Sequence, residues 1–184
     1  MNELEKFAPI TTFIFDVDGV LTNSQLLVLE NGKLLRSMNV RDGYAIKRAI
    51  QQGYKVAIIT GGKSQGVVTR LQNLGVVDIY YGIQDKIEAY REFMYLYNDP
   101  EEEPYITYEN VLYMGDDVPD YEVMRLVGLP ACPRDACPEV LSVATYVSNR
   151  DGGQGCVRDV IERVLRLHGK WTPEKREGNT PTSV

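Results

Sequence analysis

Two aspartates one residue apart end an apolar, β-rich run, Phe13-Ile14-Phe15-Asp16-Val17-Asp18-Gly19-Val20-Leu21-Thr22. Side chains at i and i+2 of a strand point the same way, so Asp16 and Asp18 face one place if the extended geometry persists. Carboxylates set together repel, and the usual remedy is a hard cation with oxygen ligands, Mg2+ above all. Gly19 then permits backbone angles closed to other residues and a close approach to a ligand. Further along, Thr60-Gly61-Gly62, Asp85-Lys86 and Gly115-Asp116-Asp117-Val118-Pro119-Asp120 add hydroxyl, ammonium and more carboxylate groups. The single histidine, His168, closes the last helical pattern, a position that suits a helix-terminal charge better than a catalytic base. Acid–base work therefore falls to carboxylates, lysine, tyrosine or metal-bound water.

These residues need a scaffold that brings them together. After the first strand, the apolar runs 26–29 and 33–38 flank Asn31-Gly32, a strong hairpin signal because both turn residues tolerate positive φ. So apolar a hairpin packs either on its own domain or against another subunit. Asp42 reads as the N-cap of a helix carrying Ile46, Ala49 and Ile50, with Gly53 as its stop. The run 54–59 reads as an interior parallel strand ending in Thr60. Ser64 caps a helix closed by Gly75, and 76–81 is a third strand. Asp85 opens a helix running to Tyr97. A solvated loop, 98–105, leads to a fourth strand at 110–114. A helix through Val127, short strands at 129–132 and 146–147, and a helix begun by Pro138 follow. The Gly-rich segment 152–155 precedes a last amphipathic helix.

Strands alternating with helices predict βαβ units and a mainly parallel, three-layer α/β sheet of Rossmann-like type. In such sheets ligands bind beyond the carboxyl ends of the strands. Asp16 and Asp18, Thr60, and Asp116 and Asp117 all fall at that end of an expected strand, so one crevice collects them.

The 184 residues predict one domain over 1–171, with a hairpin at about 25–38 and a flexible tail over 172–184. Hydrophobic residues at 43% and a net charge of −6 fit a globular protein whose main partner is neither nucleic acid nor an anionic membrane. No apolar stretch approaches the roughly 20 residues that span a bilayer, and the polar, acidic start does not read as a signal peptide. Cys132, Cys137 and Cys156 show no paired spacing, which predicts reduced thiols and a cytoplasmic protein.

Asp-x-Asp-Gly-Val-Leu-Thr after an N-terminal strand resembles the first motif of the haloacid dehalogenase superfamily of phosphatases. Thr60, Lys86 and Gly-Asp-Asp-x-x-Asp at 115–120 follow in the family's order. The resemblance implies Asp16 as nucleophile through an aspartyl-phosphate, and Asp18 as acid for the leaving alcohol and then base for water. It implies Mg2+ held by Asp16, the Asp18 backbone carbonyl and Asp116. Thr60 and Gly61 then bind the phosphoryl oxygens, Lys86 neutralises them, and Asp117 and Asp120 support the site, Asp120 by orienting Lys86 or the metal ligands.

Only a hairpin and one helix fit between Asp18 and the Val56 strand, and one helix and one strand between Thr60 and Lys86, which leaves no room for a separate cap domain. That plan, with Asn39-Val40-Arg41-Asp42-Gly43, Gly115 to Tyr121 and Gly152 to Arg158, resembles the 3-deoxy-D-manno-octulosonate 8-phosphate phosphatase family, from about Phe13 to Trp171. It implies a homotetramer built through the hairpins, hydrolysis of that sugar acid phosphate for lipopolysaccharide biosynthesis, Arg41 as a sugar-acid ligand, and residues 152–158 and the tail reaching a neighbour's site. One departure concerns Gly62 and Lys63: many members carry arginine directly after Thr-Gly, so Lys63 supplies the substrate-binding charge one position along, beside Gly62. The alternatives are a phosphatase of nine-carbon keto-sugar acid 9-phosphates, a broad small-metabolite or nucleotide phosphatase, and a non-catalytic tetramerisation module like those fused to acylneuraminate cytidylyltransferases.

Overall fold

The structure, a computed structural model, describes residues 3–99, 101 and 105–172. Of the expected tail only Thr172 is among them, and part of the loop expected at 98–105 also lies outside the described residues. In chain order the strands are β1 (Thr12–Phe15), β2 (Leu27–Val28), β3 (Leu34–Leu35), β4 (Lys55–Thr60), β5 (Asp78–Tyr81), β6 (Val111–Met114), β7 (Leu129–Cys132) and β8 (Tyr146–Val147). The helices are α1 (Glu3–Phe7), α2 (Val40–Gln51), α3 (Gln65–Leu74), α4 (Lys86–Tyr97), α5 (Tyr121–Met124), α6 (Pro138–Val143) and α7 (Cys156–Leu167).

Six strands form one sheet in the order β5-β4-β1-β6-β7-β8, every pair parallel. The two-residue side-chain period divides its apolar residues between two layers of helices. Phe13, Phe15, Val56, Ile58, Leu112 and Met114 meet α2, α3 and α7 on one face. Ile14, Ala57, Ile59, Val111 and Tyr113 meet α4, α5 and α6 on the other. Each fully buried Phe or Ile contributes ~1.5–3 kcal/mol relative to exposure, so the register of β1 between β4 and β6 is strongly specified. The strand order runs outward from β1 to both sides, through β4 on one and β6 on the other, and the crevice of an open α/β sheet forms at such a switch point.

β2 and β3 pair antiparallel around Asn31-Gly32, with Gly32 at φ +78°. Leu27 and Val28 are 62% and 66% exposed, so the hairpin does not bury its strands on its own chain. No separate cap stands between β1 and α2. No helix among the described residues is long and apolar enough to cross a membrane.

Two sequence expectations are corrected, and one element is added. Asn39, not Asp42, caps α2, accepting the Arg41 N–H at 2.9 Å. The helix expected to run through Val127 ends at Met124. α1 has no forewarning in the pattern; its last residue, Phe7, and Ile10 just after it are fully buried, and edge-on contact with Tyr146 fixes Phe7.

Asp42 instead serves another helix. The N-cap of α7 is Gly155, which has no side chain, and Asp42 Oδ1 accepts the Arg158 N–H at 2.7 Å in its place. It is 1% exposed and its Oδ2 has no partner. Burial raises its pKa to about 6, against the bonds from Arg158 and Gly155 that favour the carboxylate. A raised folded-state pKa means the fold binds this proton more tightly than the unfolded chain. The carboxylate therefore costs stability increasingly from pH 4 to 6, and the full penalty persists above. Asp42→Asn keeps an acceptor for Arg158 and removes that titration. Thermal melting from pH 4 to 8 should show the variant gaining on the parent between pH 4 and 6, by up to about 3 kcal/mol. Parallel curves would show that this carboxyl carries no such penalty.

Candidate active site

At the carboxyl ends of β1, β4 and β6 a crevice of about 400 Å³ is lined by Asp16, Asp18, Thr60, Gly61, Gly62, Lys86, Asp116, Asp117 and Asp120 among others. The alternation that sends Phe15 to one face sends Asp16 to the other, where α4 begins. Lys86 is the first residue of α4, placed by the Asp85 cap, whose side chain accepts the Ile87 N–H at 2.8 Å. Its ammonium lies 3.0 Å from Asp16 Oδ2 and 2.7 Å from Asp120 Oδ1. Burial pulls the Lys86 pKa down, but Asp16 and Asp120 outweigh it and the net shift is upward. The amine stays protonated.

Asp120 is fully buried and bonded at both oxygens. Oδ1 also accepts the Tyr113 hydroxyl at 2.6 Å, and Oδ2 accepts the backbone N–H groups of Asp116 at 3.2 Å and Asp117 at 3.4 Å. It thus shapes the turn after β6 and fixes Lys86. Asp117 caps the following turn through the Val118 N–H at 2.8 Å.

Ligand oxygens of Asp16, Asp116 and Asp120 lie within 4.8 Å of one another. Asp120 has spent its acceptors, whereas Asp16 Oδ1 and Asp116 Oδ1 are buried without a partner. Burial first, then neighbouring carboxylates, raises Asp16 to about 6 and Asp116 to about 8. Two strained acids with orphaned oxygens fit an oxygen-seeking divalent cation. Gly19 closes the other wall: at φ +93°, a Cβ there would lie 1.9 Å from Asp116 Oδ2.

Thr60 is buried, and its hydroxyl accepts the Gly62 N–H at 3.2 Å, shaping the turn into α3. Asp18 lines the crevice but stands outside the carboxylate cluster, because its side chain turns to Arg36 on the hairpin. The Gly-rich segment packs on its own chain's first loop, with the Gly153 N–H donating to Val20 O at 2.9 Å.

Not every expected residue arrives. Arg41 lies in a separate open cleft with Asn39, Arg150, Gln154 and Arg158. Lys63 is exposed, runs its stem beside Gly82 and does not line the crevice. His168 contacts the Ala8 carbonyl at 2.9 Å and the Tyr54 hydroxyl, both before strands, hence at the opposite end of the sheet. Sequence reasoning missed Arg36 and Tyr113. The signals were faint: a cation interrupting the hairpin's apolar end, and a phenol in an interior strand that must find a partner.

A scan against models of protein families matches none. The 3-deoxy-D-manno-octulosonate 8-phosphate phosphatase KdsC of Salmonella typhi is 40% identical over 172 residues, 94% of this chain and 88% of that protein. A crystal structure of the phosphatase of the same name from Yersinia pestis superposes with a TM-score of 0.86 and 36% identity over 92% of this chain and 89% of that one. The Moraxella catarrhalis phosphatase, solved with a magnesium ion, a phosphate ion and a KDO molecule, superposes at 0.84 with 30% identity over 92% and 93%. Identity at that level over nearly the full length of both chains, on one parallel sheet with its acids at the strand ends, leaves one conclusion: the chain belongs to the 3-deoxy-D-manno-octulosonate 8-phosphate phosphatase family of haloacid dehalogenase-type hydrolases.

Proposed function

We propose that this chain hydrolyses 3-deoxy-D-manno-octulosonate 8-phosphate to the free sugar acid and phosphate, with Mg2+, in lipopolysaccharide biosynthesis in the cytoplasm. The observation that carries the reading is Asp16, gripped through Oδ2 by Lys86 while its Oδ1 has no partner. A nucleophile so held is oriented yet available.

Phosphate monoesters are among the slowest bonds to break in water, with accelerations reaching ~10^21. Asp16 attacks phosphorus while the bond to the sugar oxygen breaks and Asp18 delivers a proton to that oxygen, leaving an aspartyl-phosphate. Asp18 then takes a proton from water as it attacks, the bond to Asp16 breaks, and phosphate departs. Thr60 and Gly61 offer a hydroxyl and a backbone N–H to the phosphoryl oxygens, aided by the start of α3. Lys86 supplies a fixed positive charge. Asp16, Asp116 and the Asp18 carbonyl would hold Mg2+, which when bound offsets repulsion between nucleophile and phosphate. Exposed Leu27 and Val28 support burial of the hairpin against other copies in a homotetramer. Three free thiols suit a reducing compartment.

Phosphate release from the eight-carbon ester with Mg2+ should be lost by at least about a thousandfold in Asp16→Asn. Preference for a nine-carbon ester would reassign the substrate, and no turnover of any ester by the folded protein would end the enzyme reading. Mg2+ at a hundred times its Kd should raise the melting temperature by about 5–10 °C. At one fixed Mg2+ concentration the rise should be larger at pH 8 than at pH 6, because Asp116 holds its proton up to about 8 and protons compete with the cation. Asp116→Ala should abolish it. By light scattering the parent should be a tetramer and Leu27→Glu a smaller species; a monomeric parent would refute the assembly.

A further inference from the structure

A cation from the hairpin reaches the rim of the site, where it meets Asp18. Arg36 directly follows β3, and its guanidinium engages both oxygens of Asp18, Nε to Oδ1 at 2.6 Å and Nη2 to Oδ2 at 2.9 Å. Its neighbours Leu34 and Leu35 are 45% and 46% exposed, whereas the Arg36 side chain is only 8% exposed. This is the bidentate fork that fixes a carboxylate in plane as well as in place.

Asp18 has little else to fix it. It lies past the end of β1, in a turn, and its side chain is 37% exposed. Its other side-chain contact is a long one, to the Thr22 hydroxyl at 3.5 Å. Such a carboxylate samples several rotamers unless something selects one. Gly62 supplies the room: a Cβ there would lie 3.1 Å from Asp18 Oδ2 and 3.4 Å from Arg36 Nη2. The missing side chain at 62 and the guanidinium from the hairpin are thus two halves of one arrangement.

We infer that Arg36 is a positioning residue for Asp18. It orients the carboxylate that takes a proton from water when the aspartyl-phosphate is hydrolysed, and it makes that orientation depend on how the hairpin is seated. The inference rests on the phosphatase reading above. Hydrolysis of the aspartyl-phosphate is the same step whichever alcohol has left, so loss of Arg36 slows that step for every ester, whether or not it carries a carboxylate. A guanidinium that bound the sugar acid's carboxylate would instead affect only esters carrying one.

The test compares the parent, Arg36→Ala and Arg36→Lys as full chains with Mg2+, on the eight-carbon sugar acid phosphate and on p-nitrophenyl phosphate. Parent turnover comes first; if the parent cleaves neither ester, the phosphatase reading fails and this inference with it. With an active parent, Arg36→Ala should lose about 10- to 100-fold in kcat on both esters, with KM unchanged or lower. Nitrophenol should then appear as a burst of about one per subunit followed by a slow phase, since the aspartyl-phosphate accumulates. Millimolar guanidinium should restore part of the rate, and Arg36→Lys should fall between the two. A raised KM for the sugar acid ester alone, with kcat intact, overturns the inference in favour of a substrate ligand. Unchanged kinetics overturn it outright. So does a loss that tracks a lowered melting temperature and is not rescued by guanidinium, because the role is then structural.

Discussion

One ammonium group holds the acidic end of the sheet together. Asp16, Asp116 and Asp120 converge within 4.8 Å, and Lys86 stands between two of them. Two carboxylates at such a distance repel by roughly 3–4 kcal/mol at an effective dielectric of about 20. Removing one partner of a buried pair leaves an uncompensated charge at a cost of about 3–5 kcal/mol. The fold must therefore deliver Lys86 accurately, and it does so through the first residue of α4, fixed by the Asp85 cap. The β5 to α4 connection, remote from Asp16 in sequence, becomes part of the site through a single charge.

The rest of the polar arrangement follows from that placement. Tyr113 belongs to the face of β6 that meets α4 and α5, so its hydroxyl reaches Asp120 and not the opposite layer. Asp120 is satisfied four times over, whereas Asp16 and Asp116 each keep one buried oxygen idle. Structural acids are usually completed by their neighbours. A single idle oxygen also occurs on the structural Asp42, but two such acids converging within 4.8 Å, beside one finished to the last lone pair, mark a place shaped for a ligand.

Legibility in the sequence tracked locality. β7, β8 and the Ser64 and Asp85 caps are written in a few adjacent residues, and each appears where those residues place it. The strand-end acids were equally visible, because in a parallel sheet every strand delivers its last residues to the same edge. Asp42 misled because a carboxylate near a helix start reads as that helix's own cap. It faces instead across α2 to a helix whose cap is a glycine more than a hundred residues later, a relation no local pattern encodes. Arg36 and Arg41 show the same limit in opposite senses. Both flank the hairpin's return, yet only the twist of the chain after β3 decides that Arg36 reaches Asp18 at the crevice rim while Arg41 turns to another cleft.

The hairpin resolves a problem that a capless plan creates. A crevice with no covering domain has nothing obvious to hold a residue at its rim, and Asp18 sits at that rim in a turn. Arg36 reaches it from an element whose strands are otherwise left to solvent, so the rim is fixed from outside the sheet. An exposed two-stranded ribbon is marginal by itself, and a bidentate ion pair at its base gives it one firm anchor. Anything that seats the ribbon more firmly, burial of Leu27 and Val28 included, narrows the freedom of Arg36 and with it that of Asp18. Apolar surface at the tip and carboxylate geometry at the base are two ends of one lever, and the sheet needs no cap to connect them.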